Sequence, residues 1–484
     1  MTAELARAGG PIAAAGLALL LVATRRDLRA AGLALWALGC VLLVPYLAPH
    51  GHRPLLVAAA VLGIGLAGAA AVLLRRWPWL IAVGALACVP ARIPVHIGST
   101  DANLLIPLYG VVVAGALLLA WELSRGDERA RELGPLAYPL AALVAWSGLS
   151  LAWSEDLRQG AIALLAFWLP FGLLAICLAR LTWDRRWATF LYAQLAAMAA
   201  VFAVIGVYQY VTRDVFWNPK VIVGNAYAPF YRVNSVFYDP SIYGRFLAVA
   251  ILASLVLVMF RTNARVALAA AAAICATWVG LLFSFSQSSF VALFVGTAVV
   301  ASFAWRWRAV AALGLVAAVV LSVGFSAPNV RHSLLHNSGT GLNKASSGRF
   351  QLVTNGTKIW SDNPVQGCGI GCFKKAYGKR LHLKGKEPKS AASHDTPVTV
   401  AAETGIVGLG LLVWLVAAAL VLAFRRTGLS FTRRACFLLG LLLAAIFVHS
   451  LFYNALFEDP MFWGLLGLVV IGAGAAVREE ESAR

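Results

Sequence analysis

Charge is scarce in this 484-residue chain, and acid is scarcer than base. Only 13% of residues are charged, with 21 Asp and Glu against 40 Lys and Arg. A soluble globular domain carries about 25% charged residues, so a soluble enzyme is excluded. The remainder is 61% hydrophobic, with a mean hydropathy of +0.80, which excludes a disordered chain as well. Alternation of apolar and polar residues over about ten positions, the mark of barrel strands, is missing. Zinc-type Cys/His spacing is missing too. Of seven cysteines, Cys40, Cys88, Cys177, Cys275 and Cys436 lie in apolar runs and read as small core residues. Cys368 and Cys372 flank a glycine-rich turn, where a disulfide is allowed outside the cell.

What is present is a succession of long apolar runs. Fifteen candidate spans can be drawn, at 4–24, 30–48, 55–74, 77–95, 103–122, 136–153, 161–180, 187–211, 246–260, 266–284, 289–305, 309–327, 398–424, 435–454 and 461–477. The expected fold is an all-α polytopic membrane protein with about 12–15 transmembrane helices. Arg25-Arg26, Arg75-Arg76, Arg185-Arg186, Arg261/Arg265, Arg306/Arg308 and Arg425-Arg426 with Arg433-Arg434 fall in every second short loop. The positive-inside rule places those loops in the cytoplasm. The N-terminus is then outside and the C-terminal tail inside. The first run carries its arginine pair behind it, unlike a cleavable signal peptide.

Lysine contradicts the simple charge rule. All nine lysines lie in two long loops that this orientation puts outside, at 212–245 and 328–397. The second carries a net charge of +8. Two readings stand: a basic surface resting on lipid headgroups, or a cationic funnel for an anionic substrate. The chain thus divides into N-terminal helices (1–95), a core with the first loop (96–327), the large basic loop (328–397), and C-terminal helices with a tail (398–484).

Three segments carry candidate chemistry. Arg232 to Arg245 contains an Asp239-Pro240 turn bracketed by two arginines, where Asp239 or Ser241 can cap a helix. Ser347-Gly348-Arg349 opens a short helix containing Lys358 and Trp360. It runs on through Asp362-Asn-Pro into Gly367-Cys-Gly369-Ile-Gly371. Those glycines either offer backbone N–H groups to phosphate oxygens or form a sharp turn packed on the bundle. His394-Asp395 leads into a span bearing Glu403, about two and a half turns further in. A histidine titrates near neutrality, and a carboxylate at that depth is costly in lipid.

In order and spacing, these segments resemble the O-antigen ligase and O-antigen polymerase superfamily of bacterial membrane glycosyltransferases, over roughly residues 200–475. Residues 347–373 and 394–408 match best. Two positions depart from the family pattern: Asp395 stands where Asn is usual after the histidine, and Gln287 follows Ser286 where Arg is usual. The resemblance implies a GT-C-like helical core of about twelve spans, with the first three or so spans as an extension. It also implies an undecaprenyl-diphosphate-linked glycan donor and chemistry on the extracytoplasmic face of the bacterial inner membrane. The acceptor would be a glycan, a lipid or a protein. On this reading His394 is the base, with Asp395 or Glu403 holding its ring. Arg232, Arg245, Arg349 and Lys358 meet the diphosphate, and direct attack inverts the anomeric centre. No metal ion and no cofactor are expected, because external carboxylates are sparse. Membrane lipids are expected partners and nucleic acid is not. A solute transporter is the competing class, but no internal repeat of the transporter kind is visible.

Overall fold

In lipid, backbone N–H and C=O groups have no water to bond, so long apolar runs coil into helices. The computed structural model describes residues 2–48, 53–97, 100–216, 218–227, 230–260, 263–305, 348–382, 393–425 and 430–482, with single positions 308, 311, 314 and 428. Among the described residues, eleven helices are long and apolar enough to cross a membrane. The chain is an all-α polytopic membrane protein. Most of the expected span at 309–327 lies outside the described residues. So do 328–347 and 383–392 of the basic loop, with Lys344, Lys384, Lys386 and Lys389.

The first helices are α1 (Thr2–Val22), α2 (Arg26–Leu47), α3 (Arg53–Arg76) and the short α4 (Leu80–Ala87). The stretch expected as a span at 77–95 is helical only over α4. Pro78, Pro90 and Pro94 have no N–H to donate and punctuate it. The chain continues as an antiparallel hairpin, β1 (Ile93–Ile97) and β2 (Thr100–Leu104), with Ile93 opposite Leu104. Then follow α5 (Ile106–Ser124), α6 (Ala137–Leu149), α7 (Leu157–Ala163), α8 (Leu169–Ala179) and α9 (Arg185–Thr212). The first long loop holds α10 (Pro219–Tyr227). Beyond it lie α11 (Pro240–Met259), α12 (Ala264–Ser284) and α13 (Gln287–Trp305). The second long loop contributes α14 (Arg349–Asp362) and α15 (Phe373–Arg380). The chain closes with α16 (Thr396–Phe424), α17 (Phe431–Ser450) and α18 (Pro460–Ser482).

Small residues let helix backbones approach where lipid supplies no hydrophobic drive. A Cβ at Gly16 of α1 would stand 2.3 Å from the Trp36 amide nitrogen of α2. The hairpin of α1 and α2 is not peripheral to the bundle. Ala14 lies against Gly148 of α6, and Leu17 lies against Gly172 of α8. At the other side of the core, Trp168 stacks on Phe457 at 4.0 Å between ring centres. The fully buried Trp463 donates from Nε1 to the Phe457 carbonyl at 2.9 Å. These rings fix the turn before α18, which carries Glu458 and Asp459.

The bundle has two unlike ends. One carries the described arginines of the short loops. There Arg29 is buried against Glu132, and Arg180 gathers Glu122 (2.6 Å), Asp127 and Glu132. The opposite end carries the starts of α11 and α16, the end of α17, and the described parts of the two long loops.

Candidate active site

The second loop is tied to the bundle by a break in α16. Gly405 adopts φ +70°, ψ −168°, and a Cβ there would sit 2.0 Å from the Val365 carbonyl oxygen. Only glycine accepts both the left-handed backbone and that approach. The break frees carbonyls that a continuous helix would use, and buried carbonyls need partners. The Cys368 N–H donates to Ala402 (3.0 Å) and the Gly369 N–H to Glu403 (2.8 Å). The Trp146 indole donates to Thr404 (2.8 Å). In return, the Ile406 N–H donates to the Pro364 carbonyl at 2.9 Å. The Ile370 N–H donates to Ser150 Oγ at 3.1 Å, and Ser154 Oγ donates to the Ile370 carbonyl at 2.8 Å. Cys368 and Cys372 are joined as a disulfide within this turn.

Of the two readings of the glycine turn, the structure shows the packed one. The N–H groups of Cys368, Gly369 and Ile370 are already taken by the bundle, so they are not a phosphate cradle. Glu403 belongs to the same joint. Its Oε1 accepts from the Phe373 N–H at 3.4 Å, at the start of α15, where a carboxylate favours the helix dipole. The carboxylate is thus turned to the turn and α15, not toward holding an imidazole ring. Asp395 is the N-cap of α16, accepting from the Val398 N–H at 2.8 Å. That explains an Asp behind the histidine: it starts the helix. Burial raises the Asp395 carboxyl above its ordinary range, against the lowering effect of the Val398 N–H. Lys358 lies nine positions from Arg349 on α14, about two and a half turns, and is exposed on the far face.

The other four predicted residues converge at the end of the bundle opposite the arginine pairs. Arg232 donates from Nε to the Ser284 carbonyl (3.1 Å) and reaches Ser241 Oγ from Nη2 at 3.5 Å. Asn225 holds its backbone from both sides, accepting at 3.0 Å and donating at 2.9 Å. Arg245, one turn into α11, is buried in an ion pair with Asp459, Nε to Oδ2 at 3.1 Å. Its Nη1 is buried with no hydrogen-bond partner. Arg349 opens α14, and its guanidinium makes no hydrogen bond to a described residue. Burial, and then the charge of Arg232, lower its pKa. Neither Arg232 nor Arg349 has a carboxylate partner among the described residues, and the charge of one is felt at the other.

His394 stands on a tight bend with φ +64°, an uncommon conformation for a residue other than glycine. Ser393 braces the bend, with Oγ donating to the Asp395 carbonyl at 2.7 Å and meeting Thr399 Oγ1 at 2.9 Å. Burial, and then the Arg349 charge, lower the His394 pKa below its ordinary value, with Asp239 opposing them. The imidazole is therefore neutral at pH 7 and able to accept a proton.

Behind these residues lies a polar chain that the sequence reading missed. The His394 ring stands 6.3 Å from that of Tyr453, which stands 5.7 Å from that of His449. His449 is buried, and its Nε2 lies 3.0 Å from Ser288 Oγ. Ser286 joins Ser288 (3.2 Å) and Ser289 (2.7 Å). Thr396 Oγ1 donates to Asn454 Oδ1 at 2.9 Å, tying the start of α16 to the turn after α17. An ionisable residue at the end of an apolar run was the available signal for His449. Among the described residues, no group of three or more His, Cys, Asp or Glu side chains is arranged to hold a metal ion.

The chain was compared with known proteins. Residues 270–413 match the family model described as O-antigen ligase. That segment runs from α12 through the serine cluster, Arg349, the glycine turn and His394 to the middle of α16. No curated protein matches the chain. The match spans the joint and the histidine, and over that segment this polytopic helical chain is similar to the O-antigen ligase family.

Proposed function

We propose that the protein transfers a glycan from an undecaprenyl-diphosphate-linked donor to an acceptor on the extracytoplasmic face of the bacterial inner membrane. The observation that carries this reading is the meeting of Arg232, Arg245 and Arg349 with a neutral histidine at one end of the bundle. The arginine pairs of the short loops lie at the other end and are read as cytoplasmic.

In the proposed step, the acceptor hydroxyl oxygen attacks the anomeric carbon from the face opposite the diphosphate. The new C–O bond forms as the bond from that carbon to the phosphate oxygen breaks. The polyprenyl diphosphate leaves with the electron pair, and the configuration inverts. His394 takes the proton of the hydroxyl. The guanidinium groups meet the charge gathering on the diphosphate, which suits their forked geometry. The proposed chemistry is metal-independent, because these fixed cations do the work of charge neutralisation. Asp395 and Glu403 serve by holding the start of α16 and the glycine turn.

The test is turnover of a lipid-diphosphate glycan by the detergent-purified protein, beside His394→Ala and Arg349→Ala. Release of polyprenyl diphosphate by the wild type, lost in both variants, supports the reading. Undiminished turnover in His394→Ala removes the base role. A lipid-anchored sugar as working acceptor makes the protein a ligase, and a second repeat unit makes it a polysaccharide polymerase. Binding and passage of a solute, with no donor consumed, would instead favour a transporter.

A further inference from the structure

A cavity of about 540 Å³ lies among α4, α9, α11, α17 and α18, apart from the candidate active site. Through the bundle its wall is apolar, with Leu86, Leu195, Val249 and Leu465. Its polar lining gathers at the arginine end, where Trp183, Arg185, Asn263 and Arg434 face it. Two donors at that end are orphans: Trp183 Nε1–H and Arg434 Nε–H are buried with no hydrogen-bond partner. An unmet buried donor is costly, so a ligand acceptor is the missing partner.

The charge at this corner is also unmatched. Arg434 donates from Nη1 to the Phe260 carbonyl at 3.4 Å, and its guanidinium lies 5.6 Å from the Phe260 ring centre. Arg185 lies 5.0 Å from the Phe431 ring centre. Neither forms an ion pair with a described carboxylate. The carboxylate of Asp184 is occupied by the Arg186 N–H at 2.6 Å. The N-termini of α9, α12 and α17 meet the same corner, and each presents the positive end of a helix dipole. At the far end the cavity closes on Pro460 and Met461, with no cation.

We propose that this cavity binds an anionic phospholipid of the leaflet at the arginine end. Its phosphate lies between Arg185, Arg434 and the Trp183 N–H, and an acyl chain lies along the apolar wall. A prenyl tail entering from the active-site end would leave both orphan donors without an acceptor. The site is independent of the transferase reading and stands or falls separately.

The experiment is native mass spectrometry of the full-length protein in detergent, with phosphatidylglycerol and phosphatidylethanolamine added in equal amounts. The wild type is expected to retain phosphatidylglycerol. Arg185→Gln and Arg434→Gln each lower that retention about fivefold, the effect of one basic side chain on an anionic headgroup. Arg425→Gln, at the same end but off the cavity, leaves it unchanged. Equal retention of the two lipids overturns the proposal. So does equal loss in Arg425→Gln, or displacement of phosphatidylglycerol by undecaprenyl phosphate.

Discussion

Two groups of arginines, one at each end of this bundle, are used in opposite ways. At the short-loop end, Arg29 and Arg180 are buried among Glu122, Asp127 and Glu132, and each cation has its carboxylates. At the other end, Arg232 and Arg349 have no carboxylate partner among the described residues, and Arg245 keeps Nη1 unpaired beside Asp459. The same residue type thus serves as a clamp between helices in one place and stands without a described carboxylate, or with an unpaired nitrogen, in the other. The difference teaches that basicity alone says little. What marks a functional cation is burial without a partner, because that state costs free energy unless a ligand completes it.

Removing a cation at each end should therefore fail in different ways. Arg180→Ala leaves three carboxylates facing one another and should lower stability by about 3–5 kcal/mol. The check is loss of folded protein in a detergent thermal-melt assay. Arg349→Ala should keep the wild-type melting temperature and lose roughly 100- to 1,000-fold in turnover, the usual effect of removing one charge-stabilising donor. If both variants lose stability alike, the contrast between the ends collapses.

Glu403→Ala leaves the α15 amide unmet and should lower stability by about 1–3 kcal/mol. Glu403→Gln keeps an acceptor there and should retain most of the turnover. A dead Glu403→Gln of normal stability would move Glu403 from the joint into the chemistry. The pH profile sharpens the role of Arg349. Burial and the Arg349 charge both lower the His394 pKa, so the acid limb of wild-type turnover should fall below the ordinary histidine value of about 6.5. In Arg349→Gln one of the two causes is gone, the pKa rises, and the limb of the residual activity moves to higher pH. Lys358→Ala, on the far face of α14, should change turnover and stability by no more than about 0.5 kcal/mol.

The fold was legible because apolar runs in lipid have essentially one solution. Residues 77–95 departed from it through prolines, a local cause visible in the sequence. In the candidate site, the sequence singled out Arg232, Arg349 and His394 because they stood in polar loops, and Arg245 through its turn, and the structure brings these four to one end of the bundle. The candidate site was not legible where one polar residue sat in an apolar run. His449 and Ser288 are about 160 positions apart, yet their side chains lie 3.0 Å from each other, and nothing local announces that pairing. The glycine turn was ambiguous for a related reason. Glycine permits either a phosphate cradle or a close approach, and the carbonyls that decide between them come from α16.

The break at Gly405 has a consequence for how this chain can vary in length. Arg349 and the turn that docks on the broken helix are separated by one short helix, and His394 lies on the strut that the turn grips. A residue inserted or deleted between Arg349 and Phe373 would slide the amides of Cys368 and Gly369 off the carbonyls of Ala402 and Glu403, or rotate Arg349 away by about 100°. That stretch works as a ruler, and its count of residues shapes the candidate site as much as any side chain in it.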